Sequence, residues 1–236
     1  SLHDALPILE GMRLKGVLSV IEHDPYVVCY AAIDDDLLTD SLLSEIDLRL
    51  AATLAQRGER PVFFNLRGDM TSLIADLRQR GFKQDTCGYE MVCDHSPGPA
   101  DDNTLAIRRY EERHGDACLR LLDGAFNPLA VREGSPPDAF QRGRDRFKQK
   151  FSELSQKGNF AAFWQSEDLL GLVTLSEDVI DLLAVHPEFH GQGWGGAILH
   201  YATRTILQER GYSAAWLYVT DHNPDARRFY LSHGFC

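Results

Sequence analysis

Hydrophobic residues recur along the first half of the chain with two different spacings, and each spacing predicts one kind of element. The β-rich stretch from Gly16 to Ile33 is partly alternating and predicts strands. Apolar residues three and four apart from Ser41 to Arg57 predict a helix. The further elements predicted in this half are strand Pro61–Leu66, helix Met70–Arg80, and the short strands Phe82–Asp85 and Tyr89–Cys93.

The second half mixes the same two spacings. Its predicted elements are, in chain order, strand Leu105–Tyr110, helix Glu112–Ala125, a proline-rich loop Asn127–Pro137, a charged helix Asp138–Ser155, strands Phe160–Gln165, Leu169–Leu175 and Val179–Val185, helix Gly195–Arg210, strand Ala214–Thr220 and a last helix from about Pro224 to His233. Interleaved helices and strands predict an α/β fold.

The two halves end alike. The segments LRQRGF, which ends at Phe82, and YLSHGF, which ends at Phe235, each close a helix with Gly-Phe after a strand. Between the halves, the stretch from His95 to Asn103 has the Pro, Gly and Asp residues of a linker. The sequence therefore predicts two related units, residues 9–95 and 104–236, joined by a linker at 96–103.

Both ends of the sequence resemble cut ends. Residues 1–8, SLHDALPI, resemble the in-frame translation of a sequencing adapter, so we leave them out of the predicted fold. At the other end the chain stops at Cys236, directly after Gly-Phe, whereas the first half continues from Lys83 to Asp94 after its own Gly-Phe. We expect the second unit to be truncated and to lack one or two closing strands.

Composition excludes several classes of protein. The chain has 236 residues, of which 44% are hydrophobic and 25% charged, and its net charge is −11. An acidic chain of this kind argues against binding to nucleic acid, and no apolar run approaches the roughly 20 residues of a membrane span. The five cysteines lack metal-ligand spacing and predict reduced thiols in a cytoplasmic protein.

The strongest chemical signal is the run from Asp181 to Ala197, DLLAVHPEFHGQGWGGA. In this run a predicted buried strand is followed by four glycines at the start of a predicted amphipathic helix. Glycines let a backbone approach a ligand closely, and the free N–H groups at a helix start attract phosphate. The run therefore predicts a pyrophosphate site, although a tight turn without a ligand stays open as an alternative.

A dinucleotide-binding fold is a second alternative for the same glycines. Gly191, Gly193 and Gly196 spell GxGxxG, and Asp221 ends the next strand, where a ribose-binding acid would lie. Against this alternative, the segment from His186 to His190 separates the strand from the glycines. The dinucleotide fingerprint follows its strand directly.

The chain resembles the GCN5-related N-acetyltransferase (GNAT) family from about Thr104 to Cys236. The family's acyl-CoA signature, Arg/Gln-x-x-Gly-x-Gly/Ala after a V-x-P strand end, corresponds here to the six residues from His190 to Gly195 after Val185-His186-Pro187, with His190 in place of Arg or Gln. The residues that match the family's later pattern are Asn223, Ala226, Tyr230, Gly234 and Phe235. The resemblance implies the acyl-CoA N-acyltransferase fold, a mixed central sheet flanked by helices, in two tandem units.

The family's functional residues carry over position by position. The backbone of Leu183 to Val185 would pair with the pantetheine arm of acetyl-CoA, and Tyr230 would protonate the leaving thiolate. Asp181 is the carboxylate that we name as the general base. The residues that would bind the cofactor are Leu183, Ala184, Val185, His190, Gly191, Gln192, Gly193, Trp194, Gly195, Gly196 and Asn223.

No metal site is predicted, because His186 and His190 flank Glu188 as HxExH rather than HExxH. The first half lacks the chemistry of the second: Leu77 stands at the Tyr230 position and Met70 at the Asn223 position. It resembles a degenerate acetyltransferase unit, which would serve as a structural partner that shapes the acceptor cleft. Tandem architectures with one active and one decayed unit include mycothiol synthase-like proteins.

The resemblance implies an N-acetyltransferase that moves an acetyl group from acetyl-CoA to a primary amine of a small molecule or peptide by direct attack. Two alternatives remain at this stage. One is a non-catalytic acyl-CoA-binding or regulatory module, and the other is a dinucleotide-binding oxidoreductase. The sequence does not identify the acceptor or the oligomeric state.

Overall fold

The computed structural model describes residues 5–10, 13–22, 26–33, 43–44, 47–48, 51, 60–95 and 105–236. The chain divides into two compact units, Ser1–Asp85 and Thr86–Cys236. The predicted linker 96–103 and most of the predicted helix Ser41–Arg57 lie outside the described residues.

The described residues of the first unit form one sheet with strand order β1-β2-β3-β4. Its elements are β1 Ala5–Glu10, β2 Arg13–Glu22, β3 Val27–Ile33, β4 Val62–Asn65 and the helix α1 Thr71–Gln79. The first three strands are antiparallel, and β3 pairs with β4 in parallel. Leu73 and Leu77 of α1 pack with Leu18 and Cys29 in the core. Residues 5–8, which the sequence analysis left out, belong to β1 and pair with β2.

The second unit carries a larger sheet with strand order β5-β10-β9-β8-β7-β6. Its strands are β5 Gly88–Cys93, β6 Ala106–Arg108, β7 Phe160–Gln165, β8 Asp168–Ser176, β9 Val179–Val185 and β10 Ala215–Thr220. Its helices are α2 Gly115–Arg132, α3 Ala139–Arg142, α4 Arg144–Gln156, α5 Trp194–Arg204, which continues as a π-helical turn Thr205–Glu209, and α6 Pro224–Ser232. The mixed sheet flanked by helices confirms the predicted fold class.

Sheet topology also contradicts the dinucleotide-binding alternative. Among the described strands of this sheet, β9 and β10 alone pair in parallel, and every other neighbouring pair is antiparallel. Dinucleotide-binding folds are built on a mostly parallel sheet whose glycine loop directly follows a strand. The GxGxxG spacing is therefore misleading here.

Two short strands predicted for the first half are placed differently by the structure. Residues 82–85 are not a strand: the segment leaves α1 through Gly81 at φ 93° and pairs with no strand of the described residues. The predicted strand Tyr89–Cys93 lies in β5, which pairs with β10 in the second unit. Met91 and Cys93 are buried there, in the same cluster as Leu217. The boundary between the units thus precedes the predicted linker, and hydrophobic burial against β10 is the reason.

The proline-rich loop and the charged helix of the second half also differ from prediction. Helix α2 continues through Pro128 to Arg132, and the charged helix is divided at Gly143 into α3 and α4. Asp123, buried on α2, accepts hydrogen bonds from the backbone N–H groups of Phe140 (2.9 Å) and Gln141 (3.0 Å). This long-range cap fixes the start of α3, and no local sequence pattern encodes it.

Strands β9 and β10 diverge after a short parallel contact. Their register joins Val179 and Ile180 to Trp216 and Leu217 and extends no further among the described residues. On its other side, β9 pairs with β8 along its whole length. One bulge interrupts this pairing: Ile180 and Leu182 each have a partner on β8, and Asp181 between them is the extra residue. A bulge bends its strand and increases the twist. The carboxyl end of β9 therefore presents an open edge towards β10.

The two units share an order of elements. In each, two antiparallel strands are followed by a parallel pair and a helix that closes on Gly-Phe. The closing hydrogen bonds also correspond, from Phe82 N–H to the Leu77 carbonyl (3.0 Å) and from Phe235 N–H to the Tyr230 carbonyl (3.1 Å). Gly81 and Gly234 both have a positive φ. That the two units are copies of one unit stays a prediction.

Candidate functional site

The predicted glycine run forms the connection from β9 to α5. After Val185 the chain enters a short 3-10 turn, Pro187–Phe189, and then the glycines. Gly191 and Gly193 have φ of 75° and 87°, and a side chain at either position would meet open space. These two glycines are therefore required by backbone conformation, since other residues are strained in the left-handed region.

The next two glycines have a different role. A methyl group on Gly195 would lie 3.3 Å from the ring of Phe229, and one on Gly196 would lie 2.9 Å from Nε2 of His233. Phe229 belongs to α6, and His233 is its C-cap residue. The glycine pair therefore permits close packing of α6 against the first turn of α5, a contact that spacing alone did not reveal.

The start of α5 exposes backbone donors. Its first regular hydrogen bond joins Ala197 N–H to the Gly193 carbonyl (3.2 Å), and no side chain of the described residues caps this end. Free N–H groups and the positive end of the helix dipole attract an anion. Trp194 adds an indole N–H that is buried and has no acceptor within the described part of the chain. An anionic ligand would satisfy these donors.

Two of the predicted ligand-binding side chains are turned back onto the loop itself. His190 Nε2 lies 3.0 Å from the Val185 carbonyl, and Gln192 Nε2 donates to the Glu188 carbonyl (3.2 Å). These bonds hold the loop in shape. The side chains of His190 and Gln192 are thus engaged within the loop, and the Val185 carbonyl already has a donor.

The edge of β9 next to this loop is paired on one side. Leu183, Ala184 and Val185 register with Val173, Leu172 and Gly171 of β8, and no described residue of β10 pairs with them. An exposed strand edge can pair with the amides of an extended ligand.

Asp181 lies at the bulge where β9 and β10 separate. Its side chain is accessible, and partial burial of the carboxylate raises its pKa above the usual value, an effect that Lys150 of α4 opposes. A carboxylate with a raised pKa is a stronger base.

Tyr230 lies on α6 and packs against the hydrophobic core that includes Ile180 of β9 and Leu217 of β10. Its ring contacts those of Phe229 and Phe235, with centroids 5.3 and 6.0 Å away. Burial raises the pKa of the Tyr230 phenol to about 12. The phenol therefore keeps its proton across the neutral range.

Asn223 begins the helix that carries Tyr230. Its side-chain carbonyl accepts a hydrogen bond from Ala226 N–H (3.1 Å), which makes it the N-cap of α6. Because the carbonyl is engaged, the side-chain amide N–H groups are the part of Asn223 that remains for a ligand.

A polar cluster at the end of β10 was missed by the sequence analysis. Thr220 donates its hydroxyl to Glu133 Oε1 (3.0 Å), and His222 Nδ1 lies 3.5 Å from the same oxygen. Arg132 donates to the His222 carbonyl (3.3 Å). Glu133 follows α2, far from β10 in sequence, so no local pattern could have found this contact.

The described residues contain neither a metal-binding cluster nor a membrane-spanning helix. Within the described part of the chain, no group of three or more His, Cys, Asp and Glu side chains could hold a metal ion. None of the described helices is long and apolar enough to cross a bilayer.

Sequence comparison links this region to known proteins. Residues 127–235 match the family model described as "Acetyltransferase (GNAT) family". The [Ribosomal protein bS18]-alanine N-acetyltransferase of Escherichia coli K12 is 35% identical over 83 residues, which cover 35% of this chain and 52% of that protein. The protein of the same name from Shigella flexneri matches equally. The chain spans about half the length of the curated relatives it matches.

Solved structures show the same fold over most of the chain. A GCN5-related N-acetyltransferase from Sphaerobacter thermophilus matches with a TM-score of 0.62 at 15% identity. The match covers 88% of this chain and 68% of that protein's chain. A GCN5-related N-acetyltransferase from Kribbella flavida matches with a TM-score of 0.58 at 14% identity. This match covers 100% of this chain and 86% of that protein's chain.

Proposed function

We propose that this chain, residues 127–235 of which match the acetyltransferase (GNAT) family model, moves an acetyl group from acetyl-CoA to a primary amine. The observation that carries the proposal is the open edge of β9 beside β10, together with the uncapped start of α5 that follows it after the 3-10 turn and the glycine loop. An extended chain with an anionic end fits this pair of features.

The residues present fit acetyl-CoA. The N–H groups at the start of α5 and the unsatisfied indole N–H of Trp194 would bind the pyrophosphate. The backbone of Leu183 and Ala184 would pair with the pantetheine arm, and Asn223 would donate from its amide. His190, Gly191, Gln192, Gly193, Gly195 and Gly196 would act through the shape of the loop. When bound, acetyl-CoA supplies a reactive thioester.

Tyr230 would act at the leaving sulfur. Because burial raises its pKa to about 12, Tyr230 stays a hydrogen-bond donor throughout the neutral range. A donor positioned at a developing thiolate stabilises it, and transfer of the phenolic proton completes general acid catalysis.

Asp181 would act on the attacking amine. An amine attacks as the neutral base, so its ammonium form must first lose a proton. A carboxylate with a raised pKa at the mouth of the open edge is suited to accept that proton, directly or through water. Positioning of the amine beside the thioester supplies the remainder of the rate increase.

The acceptor that we propose is the amino group of a peptide or of a small molecule. The named activity of the relatives, acetylation of an alanine of a ribosomal protein, supports a peptide amine. The negative charge of the chain suits a cationic acceptor. The five cysteines, none of which forms a disulfide, fit a cytoplasmic location.

We further propose that the first unit is a degenerate copy without a cofactor. Its repeat of the β2-to-α1 order supports a common origin, and Leu77 supplies no proton where Tyr230 would. The segment 34–42, which corresponds to the glycine loop, lies outside the described residues.

The proposal is tested by measuring acetyl transfer to a peptide with an N-terminal alanine, with mass spectrometry as the readout. We expect a mass increase of one acetyl group with the wild type and about a hundredfold or greater loss of kcat in Tyr230→Phe, with unchanged affinity for acetyl-CoA. Tyr212→Phe is the matched control, because Tyr212 is 40% exposed and follows the end of the α5 helix that is opposite the glycine loop. Binding of acetyl-CoA without transfer to any amine would support the non-catalytic module instead.

A further inference from the structure

His233 lies against the first turn of α5. A methyl group on Gly196 would lie 2.9 Å from its Nε2 atom. In a helix the Cα–Cβ direction tilts towards the N-terminus, so an atom at that position lies beside the turn that precedes Gly196. Nε2 of His233 therefore lies alongside the uncapped start of α5.

The orientation of the ring is fixed by its other nitrogen. His233 Nδ1 lies 2.8 Å from the Phe229 carbonyl, which can only accept, so Nδ1 carries a hydrogen. The ring also packs on that of Phe229, with centroids 4.4 Å apart. With Nδ1 engaged, Nε2 is left as the nitrogen that faces α5, and in the imidazolium form it is a charged donor.

Nearby basic groups are engaged elsewhere. Arg228 forms an ion pair with Asp225, and Arg227 lies over the ring of Tyr89 at 4.1 Å. The ring of His190 is turned to the Val185 carbonyl. No carboxylate of the described residues forms an ion pair with His233. His233, the C-cap residue of α6, is thus the basic side chain that lies against the start of α5.

From this geometry we propose that His233 is a further binding residue for the diphosphate of acetyl-CoA, to which the Nε2–H of its imidazolium form donates a charged hydrogen bond beside the α5 backbone. The proposal rests on the proposed function. It also gives Gly196 a specific purpose, because any side chain there would displace the imidazole from the start of the helix.

Comparing the binding of acetyl-CoA with that of S-acetylpantetheine distinguishes a diphosphate-binding role of His233 from a structural role. We expect His233→Gln to weaken acetyl-CoA binding by about tenfold or more, as for loss of a charge-assisted hydrogen bond, measured by calorimetry. Binding of S-acetylpantetheine, which lacks the diphosphate, should change less than twofold. Arg228→Gln is the matched control, because it removes a positive charge from the same helix without touching α5, and it should change neither affinity more than twofold.

A second pair of variants tests the contact itself. Gly196→Ala should weaken acetyl-CoA binding in the wild type but have little further effect in the His233→Gln background. Equal weakening of both ligands by His233→Gln, or weakening of neither, would overturn the role of His233 and leave the proposed function standing. If the wild type binds S-acetylpantetheine and acetyl-CoA equally well, no diphosphate contact exists. If the wild type binds neither, the proposed function fails as well.

Discussion

Replacing Gly193 with alanine tests the glycine loop most selectively. Gly193 has φ of 87°, and its added methyl group would meet no heavy atom within 4 Å. The substitution therefore acts through the backbone alone. Alanine in the left-handed conformation is strained by about 1–2 kcal/mol relative to glycine.

The exposed loop can relax away from that strain while no ligand is bound. Binding of acetyl-CoA must then restore the strained conformation, so the affinity should fall by the same 1–2 kcal/mol. At 1.4 kcal/mol for each factor of ten, this is about a five- to thirtyfold weaker Kd. The melting temperature should change little.

Gly158→Ala is the matched control. Gly158 has φ of 72° and also meets open space, but it follows α4 rather than the glycine loop. Calorimetric titration with acetyl-CoA and thermal unfolding should be measured for both variants. The reasoning is refuted if Gly193→Ala binds as tightly as the wild type, or if Gly158→Ala loses as much affinity.

Three further predictions concern titration and buried polar groups. Burial raises the pKa of Tyr230 from its ordinary value of 10 to about 12, so at pH 11 the folded state keeps a proton that the unfolded state releases. The free energy of unfolding should therefore fall by about 1 kcal/mol between pH 9 and pH 11, and urea denaturation of Tyr230→Phe should lack this decrease. Asp181→Asn should remove the fall of kcat/KM at acidic pH, which the wild type should show at a pH above the usual carboxylate range; a retained acidic limb would exclude Asp181 as the base. Asp123→Asn should destabilise the protein by about 1–3 kcal/mol in urea denaturation, because it loses one of the two hydrogen bonds to the backbone of α3. The control variant Asp145→Asn, at an exposed position, should destabilise it by less than about 0.5 kcal/mol; equal effects would show that the cap of α3 is unimportant.

Local patterns were sufficient to predict most elements of the second unit and the place of the glycine loop. Strand β9 was predicted with the bounds that the structure has, and the glycines were predicted to lie between it and the next helix. That Gly191 and Gly193 adopt a positive φ was seen only in the structure. The fold class followed from the same alternation of helices and strands.

Contacts between distant segments could not be predicted in this way. The pairing of β5 with β10 depends on burial of Met91 beside Leu217, and spacing within β5 says nothing about its partner. The same limit applies to Glu133 with His222, and to His233 with Gly196. For Gly195 and Gly196 the sequence indicated close approach but not that the approaching groups are side chains of α6.

Calorimetric titration of the chain with acetyl-CoA and, in parallel, with NAD tests the central claim most directly. The arrangement of β9, β10 and α5 predicts saturable binding of acetyl-CoA at one site and no binding of NAD. Saturable binding of NAD without binding of acetyl-CoA, by protein shown to be folded, would contradict the account.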